Sequence, residues 1–151
     1  MSTRKVLAIA SGGGHWIQLR RLSPAFAGLD IVYVSVFASN QADVPENRYY
    51  NVRDVSRWAR LGFVVLGLQC LRILLIERPS VVVTTGSAPG LVMLVLAKSL
   101  FRCKTLWLDS VANCEELSLS GQKARRFADV WLTQWPELQS DVGPDYWGAV
   151  I

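Results

Sequence analysis

The chain has 151 residues, a net charge of +4, 51% apolar residues and 19% charged ones. That excludes a disordered or collagen-like polymer, and the length fits one domain, residues 1–151, able to bury a core without disulfides. Cys70, Cys103 and Cys114 form no CxxC pair and His15 is the single histidine, so no metal site is expected, and a Ser-His-Asp triad has His15 alone to draw on.

Arg4 and Lys5 precede an apolar run of only Val6–Ala10, too short for a signal-peptide core, so a cytosolic face is expected. That run reads as a buried strand, and Ser11-Gly12-Gly13-Gly14-His15 as the glycine turn that ends it. From His15 to Phe26, Trp16, Leu19, Leu22 and Phe26 recur at helical spacing, with Arg20 and Arg21 on the opposite side. Gly28 stops this helix, and Ile31–Phe37 is the second strand. A polar loop follows, then a short strand over Tyr49–Arg53 and a long apolar helix over Trp58–Ile76. Ser80–Thr85 is a strand that runs into Gly86-Ser87-Ala88-Pro89-Gly90, and Leu91–Phe101 is another apolar helix. Lys104–Ser110 is a strand, residues 112–127 are loop plus a short helix, and Ala128–Gln134 is the last strand before a tail containing Trp135, Tyr146 and Trp147. The strands are continuous apolar runs, so both faces of the sheet should be covered. Their alternation with helices predicts an α/β fold, a parallel Rossmann-like sheet flanked by helices.

In such sheets ligands lie outside the carboxyl ends of the strands. Three strands end there in small or polar residues: Ser11–His15, Thr85-Gly86-Ser87 and Asp109-Ser110. The glycines Gly12, Gly13 and Gly14 let a backbone approach a ligand, and the helix that follows offers free N–H groups to a diphosphate or sugar phosphate. The same turn needs no ligand to exist. Neither GxGxxG nor GxxxxGK[ST] is present, because Ile17 fills the third glycine position of the first. His15, at the mouth of the turn, suits a general base on a hydroxyl or a hydrogen-bond partner at a helix start. Ser87 suits a ligand or an N-cap, and Asp109 an orienting carboxylate for His15, a ligand for a sugar hydroxyl or a turn cap.

Residues 61–76 are apolar around nearly the whole circumference, yet a helix of that length spans about 24 Å, short of a bilayer core of about 30 Å. Arg48, Arg53, Arg57 and Arg60 precede it, interleaved with Tyr49, Tyr50 and Trp58. Basic and aromatic residues beside an apolar helix fit an anionic membrane interface, with Arg53, Arg57, Trp58, Arg60, Phe63 and Leu66 in contact. Burial on the sheet, with solvated arginines, is the other reading. No RNP-like strand supports nucleic acid.

SGGGH after the first strand, TTGSAPG after a central one, Asp109-Ser110, LSLSG and the ADVWLTQWPEL segment together resemble the acceptor-side subunits of split GT-B glycosyltransferases. The likeness extends to the bacterial PssD/EpsE-type subunits of exopolysaccharide and capsule synthesis and to the membrane-bound subunit of the eukaryotic N-glycan N-acetylglucosaminyltransferase. It implies a single N-terminal-type GT-B domain. The partner it implies is a small C-terminal-type subunit that carries the nucleotide-sugar site. It further implies a polyprenyl-diphosphate-linked sugar as acceptor, a nucleotide sugar as co-substrate with no cofactor, and a place on the cytoplasmic face of the inner membrane. On this resemblance His15 is the base, with Asp109 beside it. Gly12–Gly14 frame the acceptor or diphosphate, Thr85, Gly86, Ser87 and Ser110 line the cleft, and Trp135, Tyr146 and Trp147 meet the partner. The family usually carries Glu-Ser where Asp109-Ser110 stand, and often a basic residue at Asn113. The donor sugar stays open, and so do a noncatalytic membrane scaffold and a stand-alone phosphorylated-ligand binder.

Overall fold

A computed structural model describes residues 3–55 and 59–151. Seven strands form one parallel sheet: β1 (Lys5–Ile9), β2 (Asp30–Ser35), β3 (Arg48–Asn51), β4 (Val81–Thr84), β5 (Lys104–Leu108), β6 (Val130–Thr133) and β7 (Asp145–Tyr146). Their order across the sheet is β3-β2-β1-β4-β5-β6-β7. The seventh strand lies in the tail, where the sequence shows no apolar run. It is a two-residue edge pairing of Asp145 and Tyr146 with Leu132 and Thr133.

Four helices connect the strands: α1 (Gly14–Arg21), α2 (Arg60–Glu77), α3 (Ser87–Phe101) and α4 (Leu119–Ala124). The helix expected to run on to Phe26 stops at Arg21, and Ser23–Phe26 forms a 3₁₀ turn. Pro24, just past the break, has no N–H to continue the α pattern. α3 begins at Ser87, four residues before the expected Leu91, because Pro89 sits in a first turn that needs no N–H from it.

Side chains alternate across each strand. Leu7, Ile9, Val34, Val82 and Trp107 point to one face, where they pack with Leu66, Cys70, Leu74, Met93, Leu94 and Ala97 of α2 and α3. Val6, Ala8, Ile31, Tyr33 and Val83 point to the other, under Trp16 and Leu19 of α1. The two faces are covered unequally. On the α1 side, the β4–β6 half is roofed by the Trp147–Val150 tail, which leaves a cavity of about 310 Å³ lined by Leu22, Phe26, Leu106, Leu108 and Leu132. On the other side α2 buries only one flank of an all-round apolar helix. Leu66 is core, 0% exposed, so it does not reach lipid as expected from sequence. Leu61, Val64, Leu68, Leu75 and Ile76 stand in solvent instead. Gln69 interrupts the apolar sequence because its Oε1 accepts the backbone N–H of Arg53 at 2.8 Å.

A buried carboxylate ties the amino-terminal end of the sheet to α2. Glu77 accepts from Lys5 Nζ at 3.2 Å and Tyr50 Oη at 2.5 Å, and lies 3.3 Å from Arg48. The bond to Glu77 raises the Tyr50 hydroxyl pKa, with burial adding to it. No described helix is long and apolar enough to cross a membrane.

Candidate functional site

The strand order reverses at β1, which sends its connection to β2 on one side and borders β4 on the other. A crevice opens at such a switch point, at the carboxyl ends of the strands. Here β1, β4 and β5 end level, since Ile9 pairs with Thr84 and Thr84 with Trp107. The three polar strand ends read from the sequence therefore meet. A cleft of about 320 Å³ lies over them, lined by His15, Ser87, Ser110, Asn113, Ser118 and Ser120 together with Ala88, Ala112 and Leu119.

His15 is half-buried at the start of α1, and its ring is held by the next strand end. Nδ1 lies 3.0 Å from the Thr85 carbonyl oxygen, while Thr85 Oγ1 donates to the His15 carbonyl at 2.6 Å. A carbonyl only accepts, so Nδ1 carries the proton and Nε2 the lone pair. Thr85 and Gly86 are buried beneath the cleft and serve it by holding the imidazole. Gly86 has φ 124°, and a Cβ there would lie 3.0 Å from both His15 Nδ1 and Cε1. Gly86→Ala is therefore expected to push the ring off Thr85, and the strained backbone would cost about 1–3 kcal/mol. Thermal melting, read beside the imidazole resonances of His15, checks both effects.

Ser87 lies in the first turn of α3 at φ 76°, a strained position for a side-chain-bearing residue. It is no N-cap: Gly86 takes that place and no side chain caps the helix. Among the described residues, Ser87 Oγ is the one buried side-chain polar atom without a hydrogen-bond partner. It belongs to the cleft wall, at the positive end of a 15-residue helix with no acidic residue in its first turn. Ser110 Oγ accepts from Gln18 Nε2 at 3.0 Å and Ala112 N at 3.2 Å, so its own proton remains to be donated.

Asp109 sits differently from the expectation that it orients His15. It is 1% exposed, and its oxygens accept from Trp107 Nε1 at 3.0 Å, Asn113 Nδ2 at 3.0 Å, and Ser118 N and Oγ at 3.0 and 2.6 Å. None of its bonds goes to His15. It holds residues 113–118 against β5, and so shapes the cleft wall from behind. Gly12, Gly13 and Gly14 form the lip beside the cleft rather than its lining.

The sequence pattern does not single out two buried amides, Gln18 and Gln134. Gln18 Oε1 accepts from Val111 N and from Gln134 Nε2, and Gln134 also donates to the Asp109 carbonyl and accepts from Val150 N. This chain of bonds joins α1, the ends of β5 and β6, and the tail. The signal was a glutamine flanked by Trp16 and Leu19 on the buried face of α1. Of the expected partner-facing residues, Trp135 is tied inward, its Nε1 donating to the Val111 carbonyl at 2.7 Å. Tyr146 is half-buried in β7, and Trp147 is 68% exposed. Arg53 and Arg60 are exposed and Phe63 half-buried; Arg57 and Trp58 lie outside the described residues. Burial pushes the Cys70 thiol up to about 12, which removes it as a nucleophile.

Residues 37–150 match the family described as oligosaccharide biosynthesis protein Alg14 like. The chain belongs to the Alg14-like family. A stretch of 79 residues is 37% identical to the UDP-N-acetylglucosamine transferase subunit ALG14 of Eremothecium gossypii, covering 48% of this chain and 35% of that protein. Among solved structures, MurG of Acinetobacter baumannii superposes with a TM-score of 0.73 at 14% identity, over 88% of this chain and 42% of that one. UDP-N-acetylglucosamine 2-epimerase from Rickettsia bellii gives 0.69 at 13% identity, over 90% and 40%. At such identities the likeness is one of fold: the sheet is of the GT-B type. The chain spans about two-fifths of the length of these structures and matches about a third of the curated relative.

Proposed function

We propose that this Alg14-like chain is the acceptor-binding and membrane-recruiting subunit of a two-component glycosyltransferase. The enzyme moves a sugar from a nucleotide sugar to a polyprenyl-diphosphate-linked saccharide, in polysaccharide synthesis of the PssD/EpsE type. The observation that carries this reading is the cleft where the His15 imidazole faces an unpaired Ser87 hydroxyl at the start of α3. Free N–H groups in the first turn of α3 and the Ser87 hydroxyl suit a diphosphate. His15 Nε2 takes the proton of the acceptor hydroxyl as its oxygen bonds to the anomeric carbon. The bond from that carbon to the nucleotide diphosphate breaks, the electron pair leaves with the diphosphate, and the configuration inverts. The relative named as a transferase subunit supports a partner that supplies the nucleotide-sugar site. So does the exposed Trp147, on a tail that roofs an apolar cavity, since aromatic residues are common hot spots of interfaces. The test is transfer by the purified chain with and without a co-expressed C-terminal-type partner. Activity only with both supports the reading, whereas robust transfer by the chain alone, or none by the pair, overturns it.

Recruitment rests on α2. Leu61, Val64 and Leu68 are exposed at spacings of three and four residues, and Arg72, Leu75 and Ile76 continue the same exposed flank. Arg53, Arg60 and Arg72 are exposed nearby along the chain, each worth about 1 kcal/mol at an anionic surface. Leu61→Glu/Val64→Glu/Leu68→Glu is expected to abolish flotation on anionic vesicles, and Arg53→Glu/Arg60→Glu to weaken it in a salt-dependent way. Flotation of the triple variant at the wild-type level would remove α2 from the membrane.

A further inference from the structure

On the opposite side of the glycine turn from Thr85 stands an aromatic ring that the proposed reaction leaves without a task. Phe37 follows β2 at the carboxyl edge of the sheet and is 51% exposed. It is nevertheless held in place. Its carbonyl accepts from the Tyr49 hydroxyl and, at 3.1 Å, from Asn40 N. Its ring lies flush on the turn: a Cβ on Gly12 would stand 2.0 Å from Phe37 Cε2 and 2.3 Å from Cδ2. Glycine at position 12 thus makes room for this ring, while the residue as a whole stays 51% exposed.

The groups bonded together around Phe37 are neutral. Asn40 Nδ2 donates to Ser35 Oγ at 2.9 Å, Ser35 Oγ to the Ser11 carbonyl at 3.4 Å, and Asn51 Nδ2 to the Ser35 carbonyl at 3.3 Å. An exposed aromatic face beside a glycine turn matches a pyranose, which offers a C–H face to stack on it. Among the described residues none of the groups bonded to Phe37 or to Ser35 is a cation, which disfavours a phosphate there. We propose that Phe37 is the stacking platform for a pyranose ring of the acceptor saccharide, seated across the glycine turn from His15. This deepens the acceptor-subunit reading and rests on it for the identity of the sugar as acceptor.

Saturation-transfer NMR on the full chain tests it, with the methyl glycosides of glucose, galactose and N-acetylglucosamine, glucuronic acid, and citronellyl diphosphate as probes at millimolar concentration. Saturation should reach the ring protons of at least one sugar. Phe37→Leu, which keeps an apolar cover over Gly12 but removes the aromatic face, should cut that signal several-fold at an unchanged melting temperature, and Phe37→Tyr should restore it. The proposal is overturned if wild type saturates none of the sugars, or if Phe37→Leu saturates them equally. It is also overturned if the signal lost in Phe37→Leu is that of citronellyl diphosphate alone. These probes need neither partner nor donor, so a failure of the transferase reading shows up in the two-subunit assay and a failure of the platform shows up here.

Discussion

His15→Ala is expected to lower transfer by the proposed two-subunit enzyme by about 10²–10⁴-fold, the usual contribution of a positioned general base. The imidazole has one nitrogen committed to the Thr85 carbonyl at 3.0 Å, which fixes the ring and leaves Nε2 to accept a proton. The truncation leaves one carbonyl without its donor, a loss of about 1 kcal/mol, so the protein should still fold and still bind its partner. Steady-state turnover, read beside co-purification and thermal melting, separates the two effects. Turnover within a few-fold of wild type would remove His15 from the chemistry.

Asp109→Ala should act in the opposite sense, on stability more than on the chemical step. Four donors converge on this carboxylate inside the protein, and removal leaves Trp107 Nε1, Asn113 Nδ2 and both Ser118 groups unpaired. Orphaned buried donors cost about 1–3 kcal/mol each, partly relieved where a side chain rotates or water enters. A net loss of about 3 kcal/mol lowers the melting temperature by roughly 6–12 °C for a chain of this size. Asp109→Asn keeps one acceptor and should fall between. A melting temperature equal to wild type, together with a large loss of turnover, would return Asp109 to the catalytic role that the sequence suggested.

The contrast between these two residues shows what could be read from the chain. Strand ends are legible because apolar runs stop at glycine, threonine and aspartate, and a parallel sheet brings such ends to one edge. That is how His15, Ser87 and Ser110 come to line one cleft. Side-chain direction at that edge is set by tertiary bonds, and nothing in Asp109-Ser110 tells which of the two faces the cleft. The glutamines Gln18 and Gln134 escaped because an amide makes its bonds to partners 116 residues apart in sequence. In α2, composition showed an apolar helix but not which flank would be buried. Leu66 and Leu68 differ only in the angle at which they leave the helix, and the sheet beneath selects between them. The tail shows the same limit: Trp135, Tyr146 and Trp147 are equally aromatic in the sequence, yet Trp135 is bonded inward and Trp147 is 68% exposed at the rim of the apolar cavity.

In the proposed reaction the crevice between β1 and β4 receives the acceptor diphosphate. Amide chemical-shift mapping of the isotopically labelled chain during titration with citronellyl diphosphate tests it most directly. Shifts are expected at Gly13–His15, Gly86–Ala88 and Ser110, with reduced affinity in Ser87→Ala. Shifts confined to the Trp147–Val150 tail or to α2, or no saturable shift at the α3 start, would contradict it.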